Sequence, residues 1–391
     1  MRERIDRRAM TALSAGHLAT DFAGGALPAL IPFLKERFQL SYTLVAVLVL
    51  ASAIAGSVVQ PLFGLWSDRR GAIWLLPVGV ATGGIGMALT AASPSYWLAV
   101  VFVAVSGLGT AAYHPEGSKF AAYVSGRRRA SGMSLFSIGG NLGYGLGAFA
   151  TTPLVVALGL HGGLLLAVPC VAVAAVLLTL GPYLLRFVPE RRTRTRAAGD
   201  DDRRSLVLLL IVITFRSLAW YGLLTFVPLW EVSLGHSKAH GNHLLALMLL
   251  TGGVGTLAAG PIADRIGPRT VLLAANIAIC PLMLVFILVG GFSGAVALAL
   301  VGVAVVGTFG ITMVMSQQYL PRHIGMASGL SIGFSIGLGG IAAVILGAIA
   351  DAVDLRTALY VSAAAPVAAV LLTFFLPRER VSRLEPEIAM P

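Results

Sequence analysis

The sequence predicts an all-α integral membrane protein with twelve transmembrane helices arranged as two six-helix bundles. Three observations support this fold class: a low content of charged residues, a series of long apolar runs, and a repeat whose copies lie half a chain apart. Hydrophobic residues make up 57% of the 391 residues and charged residues only 12%. A soluble domain carries about twice that charged fraction. The solvent for most of the chain is therefore lipid.

Apolar runs long enough to cross a bilayer as helices, about 20 residues each, follow one another along the whole chain. They lie near residues 10–34, 41–66, 72–92, 95–117, 130–158, 161–185, 205–231, 242–263, 269–290, 293–318, 324–350 and 356–376. The basic start of the first run imitates a signal peptide, but the run is too long and eleven more follow it. Twelve spans place both ends of the chain on the same side of the membrane.

Lys and Arg are distributed unevenly between the two sides of the membrane. The side that holds the N-terminus receives 23 of the 28 basic residues. Loops on the cytoplasmic side are the ones enriched in basic residues. We therefore expect both termini to be cytoplasmic.

One sustained polar stretch divides six spans from six. It is too charged to be buried, and we expect it to be a cytoplasmic linker. The predicted organisation is an N-terminal bundle over residues 1–185, the linker over 186–204, a C-terminal bundle over 205–376 and a cytoplasmic tail over 377–391.

The two predicted bundles resemble each other in sequence. The segment after the second span reads "DRRG" and the segment after the eighth reads "DRIG", 196 residues later. Span five contains "SGMSLFSIGGNLGYGLG", and span eleven contains "SGLSIGFSIGLGG" at a similar offset. Because six spans separate the copies, both have the same orientation in the membrane.

Parallel six-helix repeats joined by a central loop are the plan of the major facilitator superfamily of transporters, which the chain resembles over essentially its whole length. "GLWSDRRG" and "GPIADRIGPR" are similar to the family's signature between helices two and three and between helices eight and nine. The resemblance implies a cytoplasmic gate formed by Asp68 and Arg69 in one half and by Asp264 and Arg265 in the other. Carboxylates at these helix ends can pair with arginines and helix termini of the neighbouring half-bundle. The alternative is a turn that only sets the topology.

Ionisable residues inside the spans are few, and such residues are costly in lipid and generally face an interior cavity. "GHLATD" in span one sets His17 and Asp21 four residues apart, on one face of the helix. Arg216 in span seven has a depth comparable to that of Asp21 in the other half. We therefore expect a central cavity with an acidic pole and a basic pole, the alternative being a buried structural ion pair.

Span four ends in "YHPEGSK", which places His114 and Glu116 in its cytoplasmic half. Pro115 is expected to break the helix there. Together with the two polar residues of span one, these side chains form a predicted cluster with the pKa range for carrying protons. The alternative for Glu116 is an ion pair with Lys119, three residues later.

Three further residues are candidates for binding a substrate. Asn141 lies within the glycine run of span five, where it either donates to a substrate or holds a helix. Trp220 and Tyr221 follow Arg216 by about one turn and are expected to pack against an apolar part of the substrate.

Three histidines, His236, His240 and His243, lie in the loop "GHSKAHGNH" between spans seven and eight. A zinc site is possible there, but the loop has no carboxylate or cysteine to complete it, so an ordinary interfacial loop is favoured and no metal is expected. The sequence contains no nucleotide-binding loop and no catalytic triad. We therefore expect no cofactor, no enzymatic activity and no nucleic-acid partner.

Four segments, "GHLATD", "YHPEGSKFA", "GGNLGYGLG" and "FRSLAWYG", together resemble the fosmidomycin-resistance branch of the superfamily. This resemblance implies a monomeric protein of the bacterial inner membrane that exports a small organic compound, anionic or phosphonate-like, in exchange for protons. Two alternatives stay open. One is a proton-coupled uptake symporter for an organic acid that uses the same residues, and the other is a membrane sensor or receptor without transport.

Overall fold

The structure is a computed structural model. It describes residues 4–70, 72–126, 128–188 and 200–377. Within these ranges it describes no side chain at 68–70, 129–130, 323–325 and 328. The described residues form thirteen α-helices and no strand. The helices are α1 Arg7–Phe38, α2 Tyr42–Ser57, α3 Gln60–Arg70, α4 Leu75–Ala91, α5 Tyr96–Val124, α6 Arg129–Leu158, α7 Ala167–Leu185, α8 Arg203–Ser233, α9 Lys238–Ile266, α10 Pro268–Leu288, α11 Gly291–Tyr319, α12 Ile324–Ala352 and α13 Leu355–Thr373.

The predicted fold class, an all-α membrane protein with twelve helical segments, is confirmed. Ten segments of the described chain are long and apolar enough to cross a membrane. The other two predicted spans are α4, which is apolar but has only 17 residues, and α1, whose 32 residues include several polar ones. Predicted linker residues 189–199 and tail residues 378–391 lie outside the described part of the chain.

One predicted span is divided into two helices, α2 and α3. The break falls at Val58 and Val59, and Pro61 is the second residue of α3. Proline has no backbone N–H to donate to the preceding turn, and its fixed φ suits the first turn of a helix, which favours a new helix start at this point. By contrast, Pro115 does not break α5, which continues from Tyr96 to Val124.

Helices α1 and α6 are in backbone-to-backbone contact along much of their length. A Cβ atom built at Gly139 would lie 2.3 Å from the Ser14 carbonyl oxygen, and one at Gly143 would lie 2.2 Å from that of Leu18. Because only glycine fits so close to a carbonyl, the glycines of span five pack these two helices of the N-terminal half together.

Each half is tied together at the end of the bundle where α1 and α8 begin, which we call the linker face. There the Asp6 amide donates to the Val124 carbonyl of α5 (3.0 Å), and the Asp202 amide donates to the Tyr319 carbonyl of α11 (2.7 Å). Hydrogen bonds from Ser205 cap α8 and hold the pKa of the Asp202 carboxyl below its ordinary value. The opposite end, where α1 and α8 end, is the far face.

Charged side chains join the two halves at the far face. The Asp351 carboxylate, at the end of α12, accepts hydrogen bonds from the Tyr42 amide (2.7 Å), the Thr43 amide (2.9 Å) and the Thr43 hydroxyl (2.6 Å). An anion at the start of α2 also meets the positive end of the helix dipole. Lys238 of α9 forms an ion pair with Glu36 of α1.

A buried amide adds a third link between the halves, below these charged contacts. Asn242 of α9 is fully buried, and its Nδ2 donates to the Ala29 carbonyl of α1 (2.9 Å) and to the Thr152 hydroxyl of α6 (2.8 Å). These contacts between described residues of the N-terminal and C-terminal halves close the far face.

Towards the linker face, α12 diverges from α2. A Cβ atom built at Gly340 would lie 2.9 Å from the Ala53 side chain, and one built at Gly337 would lie 3.9 Å from the Ser57 hydroxyl. One built at Gly333 meets no described atom within 4 Å. These two helices of opposite halves are thus together at the far face and apart nearer the linker face.

Candidate functional site

Three ionisable side chains converge between α1 and α5. His17 and Asp21 lie one turn apart on α1, and His114 lies on α5. The Nε2 atoms of His17 and His114 are 3.1 Å apart, and they lie 3.4 Å and 3.3 Å from the two oxygens of the Asp21 carboxylate. We call these three residues the central triad. The structure thus brings together three of the four residues predicted to form a proton-carrying cluster.

Backbone carbonyls fix the tautomers of both histidines. His17 Nδ1 lies 2.8 Å from the Phe136 carbonyl oxygen, and His114 Nδ1 lies 2.9 Å from that of Thr110. A carbonyl only accepts, so each Nδ1 carries the proton, and each Nε2 of a neutral ring has only a lone pair. Two lone pairs and a carboxylate therefore face one another.

Two neighbours on α6 shape the space around the triad. The Phe136 ring stacks on His17, with ring centroids 4.2 Å apart. A Cβ atom built at Gly140 would lie 2.5 Å from His17 Nε2 and 2.7 Å from the nearer Asp21 oxygen. Gly140 therefore leaves the room in which the triad fits. The glycine run of span five was visible in the sequence, but nothing there distinguished this glycine from its packing neighbours.

The triad borders a central cavity of about 240 Å³ between the two halves. Asp21, His114 and Tyr144 line it from the N-terminal half, and Tyr221 with Leu224 of α8 lines it from the C-terminal half. About a fifth of the Asp21 side chain, 20%, is exposed. A ligand in this cavity would touch the triad and both halves of the protein.

Arg216 is buried in the C-terminal half, and no acidic side chain among the described residues pairs with it. It is 1% exposed, donates to the Thr308 hydroxyl (2.9 Å) and lies with its guanidinium carbon 4.3 Å from the centroid of the Phe309 ring. Its Nε and Nη2 atoms have no hydrogen-bond partner among the described residues. The alternative of a structural ion pair between Asp21 and Arg216 is not what the structure shows, since Asp21 contacts histidines instead.

The two aromatic residues after Arg216 point in different directions. Tyr221 lines the central cavity. Trp220 packs edge-to-face on Phe309 of α11, with centroids 6.1 Å apart, and is not among the residues that line the cavity. Consecutive helix positions are about 100° apart, so both rings could not face the same cavity.

Glu116 lies apart from the central triad. Its carboxylate is buried, pairs with Lys119 (2.5 Å) and accepts a hydrogen bond from the Ser67 hydroxyl of α3. This is the ion pair named above as the alternative for Glu116. No pattern in the sequence indicated Ser67 as a further partner. Asn141, also proposed for substrate binding, faces Gly253 of α9, whose built Cβ would lie 3.4 Å from it.

The predicted gate residues are only partly described. Asp264 and Arg265 are exposed in the last turn of α9, and no ion pair joins either to a described side chain. Asp68 and Arg69 belong to α3, and their side chains lie outside what the structure describes.

Within the described part of the chain, two groups of side chains have the donor atoms and spacing to hold a metal ion. One is the central triad, and the other is Glu231 with His236 and His240 at the far face. The second group contains the carboxylate that the loop sequence lacks, because the end of α8 supplies it.

Comparison with known proteins gives the family. The family model of the Major Facilitator Superfamily matches residues 13–342 and 209–389. An uncharacterized MFS-type transporter of Bacillus subtilis, YfnC, is 31% identical over 94% of this chain and 92% of its own. The fosmidomycin resistance protein of Escherichia coli is 27% identical over the same shares. A crystal structure of a bacterial homolog of the human lysosomal transporter Spinster superimposes with a TM-score of 0.76, at 15% identity, over 94% of this chain and 96% of that one.

Proposed function

Because the chain belongs to the Major Facilitator Superfamily and is a membrane transporter rather than an enzyme, we propose that it exports a small organic anion in exchange for protons. In this proposal the protein lies in a bacterial inner membrane with both termini in the cytoplasm. The linker face is then cytoplasmic and the far face periplasmic.

The central triad is the observation that carries the proposed proton coupling. Two unprotonated Nε2 atoms 3.1 Å apart, beside a carboxylate, repel one another. A proton on either Nε2 turns this repulsion into a charge-assisted hydrogen bond, because the imidazolium can then donate to the other ring or to Asp21. The arrangement therefore suits one further proton in addition to the two that the Nδ1 atoms carry.

The charge of the triad follows the number of protons it holds. With one proton on Nε2 it is neutral overall, since an imidazolium faces the Asp21 carboxylate; without that proton it is negative. A negative triad repels an anion in the adjoining cavity, and a neutral one accepts it. Protonation of the triad and binding of an anion are thereby linked through the space they share. By charge alone a proton and an anion bind together, which is the linkage that the uptake alternative requires. Exchange requires in addition that a bound anion lower the proton affinity of the triad, and the direction of transport in the vesicle experiment below distinguishes the two.

Arg216 supports an anionic substrate. A buried guanidinium with unused donors is costly unless something accepts from it. Arg216 precedes Tyr221 by five residues, so it lies about 7.5 Å from the cavity along α8, on the side of the linker face. Because the guanidinium is 1% exposed and is not among the residues that line the cavity, an anion that enters from this face would reach it only after the side chains around it rearrange. Of the two aromatic residues predicted to contact the substrate, we retain Tyr221, which lies on the cavity wall, and not Trp220.

The proposed gate fits the arrangement of the helices. Separation of α2 and α12 towards the linker face corresponds to a state open to the cytoplasm. We propose that Asp68 with Arg69, and Asp264 with Arg265, form charge-assisted bonds only when this face closes. Exposure of Asp264 in the present state supports this assignment.

Fosmidomycin, a phosphonate, is the first substrate to test, because one relative is a fosmidomycin resistance protein. Everted membrane vesicles from Escherichia coli cells without their own resistance protein would carry this chain, its His114→Gln variant, and a His161→Gln control with the change at an exposed histidine outside the cavity. We expect energised vesicles with the unaltered chain or the control to accumulate fosmidomycin until the pH gradient is collapsed, and vesicles with His114→Gln to fail.

Three results would count against this proposal. Accumulation that survives collapse of the pH gradient would remove proton coupling. Proton-driven accumulation in right-side-out vesicles, with none in everted ones, would support the uptake alternative. No transport of fosmidomycin or of any member of a set of organic phosphonates and phosphates would reject the substrate class.

A further inference from the structure

A second cluster of ionisable side chains lies at the far face, away from the cavity, the triad and the proposed gate. Glu231 lies in the last turn of α8, His236 lies in the turn that follows, and His240 lies in the first turn of α9. The Glu231 carboxylate is 2.6 Å from His236 Nδ1 and 3.5 Å from His240 Nε2. We propose that this cluster, which does not depend on the proposed transport function, is a binding site for a divalent transition-metal cation of the Zn²⁺ class.

The turn between α8 and α9 brings the three side chains together. The Glu231 carbonyl accepts from the Leu234 amide (3.2 Å) and the His236 amide (3.0 Å), which folds the chain back over the end of α8. Gly235 makes this turn with a φ of +89°, in the left-handed region that glycine adopts without a Cβ penalty. Ser237 then caps α9 and orients its first turn, in which His240 lies.

The donor set suits zinc and its neighbours in the periodic table. Two imidazole nitrogens and one carboxylate oxygen are the protein ligands of many open zinc sites, with a fourth position left for water. Zinc bonds of about 2.0–2.1 Å place tetrahedral ligands about 3.3 Å apart. The distance between Glu231 and His240 already matches this spacing. The contact between Glu231 and His236 is a hydrogen bond, which would lengthen by about 0.7 Å when a cation replaces its proton.

The basic side chains near the cluster have other partners, so the two histidines are the described neighbours that can balance the charge of the Glu231 carboxylate. Glu231 is only 4% exposed, so its charge is poorly solvated and needs a partner. Lys238 lies between the histidines in sequence, but it pairs with Glu36 of α1. Arg356 lies over the Trp230 ring, with its guanidinium carbon 5.5 Å from the ring centroid. Both histidine side chains are about half exposed (51% and 50%), so an ion can reach the site from solvent.

The test measures binding of Zn²⁺, and of Co²⁺ as a spectroscopic probe, to the purified full-length protein carrying no polyhistidine tag. The double variant His236→Gln/His240→Gln removes two ligands of the site. His243→Gln is the matched control, because this histidine is three residues further along α9 and packs by Phe149 rather than in the cluster. His17→Gln removes the other group with metal-binding geometry.

We expect one Zn²⁺ per chain in the unaltered protein, in the His243→Gln control and in His17→Gln. The double variant should bind at least about tenfold more weakly, since loss of even an indirect metal contact costs that much. Bound Co²⁺ should absorb in the visible range as a four-coordinate ion and lose this absorption in the double variant. Equal Zn²⁺ affinity in the double variant and the unaltered protein would overturn the proposal, as would binding that only His17→Gln abolishes. Glu231→Gln, if it folds, should match the double variant.

Discussion

His17 and His114 face each other through their Nε2 atoms at 3.1 Å, although both rings already donate their Nδ1 protons to backbone carbonyls. Without a further proton the two Nε2 lone pairs repel each other, and a proton on either nitrogen would let one ring donate to the other or to Asp21. Asp21, within 3.4 Å of both, holds the compensating negative charge. This relationship places the proposed coupling site on two helices of the N-terminal half alone.

The first prediction concerns Asp21. Asp21→Asn removes the negative charge that stabilises a protonated histidine while keeping nearly the same shape, so transport driven by a pH gradient should fall at least about tenfold, the effect of losing one charged hydrogen bond. Exchange of labelled for unlabelled fosmidomycin, which needs no net proton movement, should survive better. Flux is compared at matched protein levels with Asp200→Asn, an exposed carboxylate at the linker face. Full gradient-driven transport by Asp21→Asn would exclude Asp21 from coupling.

Arg216→Ala should have the opposite effect to Asp21→Asn: it should weaken substrate binding itself rather than the coupling of transport to the pH gradient. Loss of a charged hydrogen bond costs about 1.5–3 kcal/mol, so binding of an anionic substrate should weaken by roughly ten- to a hundred-fold. Arg216→Lys keeps the charge but not the planar fork of donors, so its substrate affinity should lie between those of the unaltered protein and Arg216→Ala. Affinity is measured by equilibrium binding to purified protein. If Arg216→Ala binds normally but unfolds at a lower temperature, the residue is structural.

Gly140→Ala tests the space that the triad occupies. The added methyl group would overlap the ends of the His17 and Asp21 side chains, which can rotate away, so the protein should fold with its triad displaced. We expect normal yield and a normal size-exclusion profile, with the loss of proton-driven transport seen for Asp21→Asn. Gly181→Ala on α7 is the control, because a Cβ there meets no described atom within 4 Å. Intact transport by Gly140→Ala would show that the triad tolerates displacement.

Asp351→Asn should shift the protein towards a state open at the far face. The carboxylate joins α12 to the start of α2 in the other half, and loss of such a charged cap costs about 0.5–2 kcal/mol. Single cysteines on the far-face side of the cavity should then react faster with a membrane-impermeant maleimide. Asp354→Asn is the matched control, since Asp354 caps α13 within its own half through the Thr357 amide. Equal labelling rates in the two variants would mean that Asp351 does not hold the halves together.

The sequence predicted the fold and part of the site, each for a physical reason. Hydropathy reports the solvent of a helix, so the membrane spans followed from composition and run length. His17 and Asp21 share a helix face whatever their surroundings, so their proximity followed from spacing alone. The depth of Arg216 was also predictable, but depth does not give the direction of a side chain around the helix axis. That direction decided that Arg216 meets Thr308 and Phe309 rather than Asp21.

Other features depended on contacts between distant segments, which no local pattern encodes. Glu116 had two possible partners in the sequence, and the position of Ser67 on α3 favours the pair with Lys119. Pro115 was expected to break α5, yet the helix continues, because packing against neighbouring helices offsets the loss of one backbone hydrogen bond. Glu231 joins the two histidines only through the turn at Gly235.

The glycine contacts between α1 and α6 have a mechanical consequence. With carbonyl oxygens of α1 seated in the notches at Gly139 and Gly143, the two helices cannot slide past each other without a collision of backbones. In the proposed coupling, any displacement of α1 that follows protonation of the central triad must therefore carry α6 with it. Gly145 of α6 in turn abuts Leu250 of α9. The two helices would thus move as one rigid unit, which connects the proposed coupling site to the contact with α9 in the opposite half.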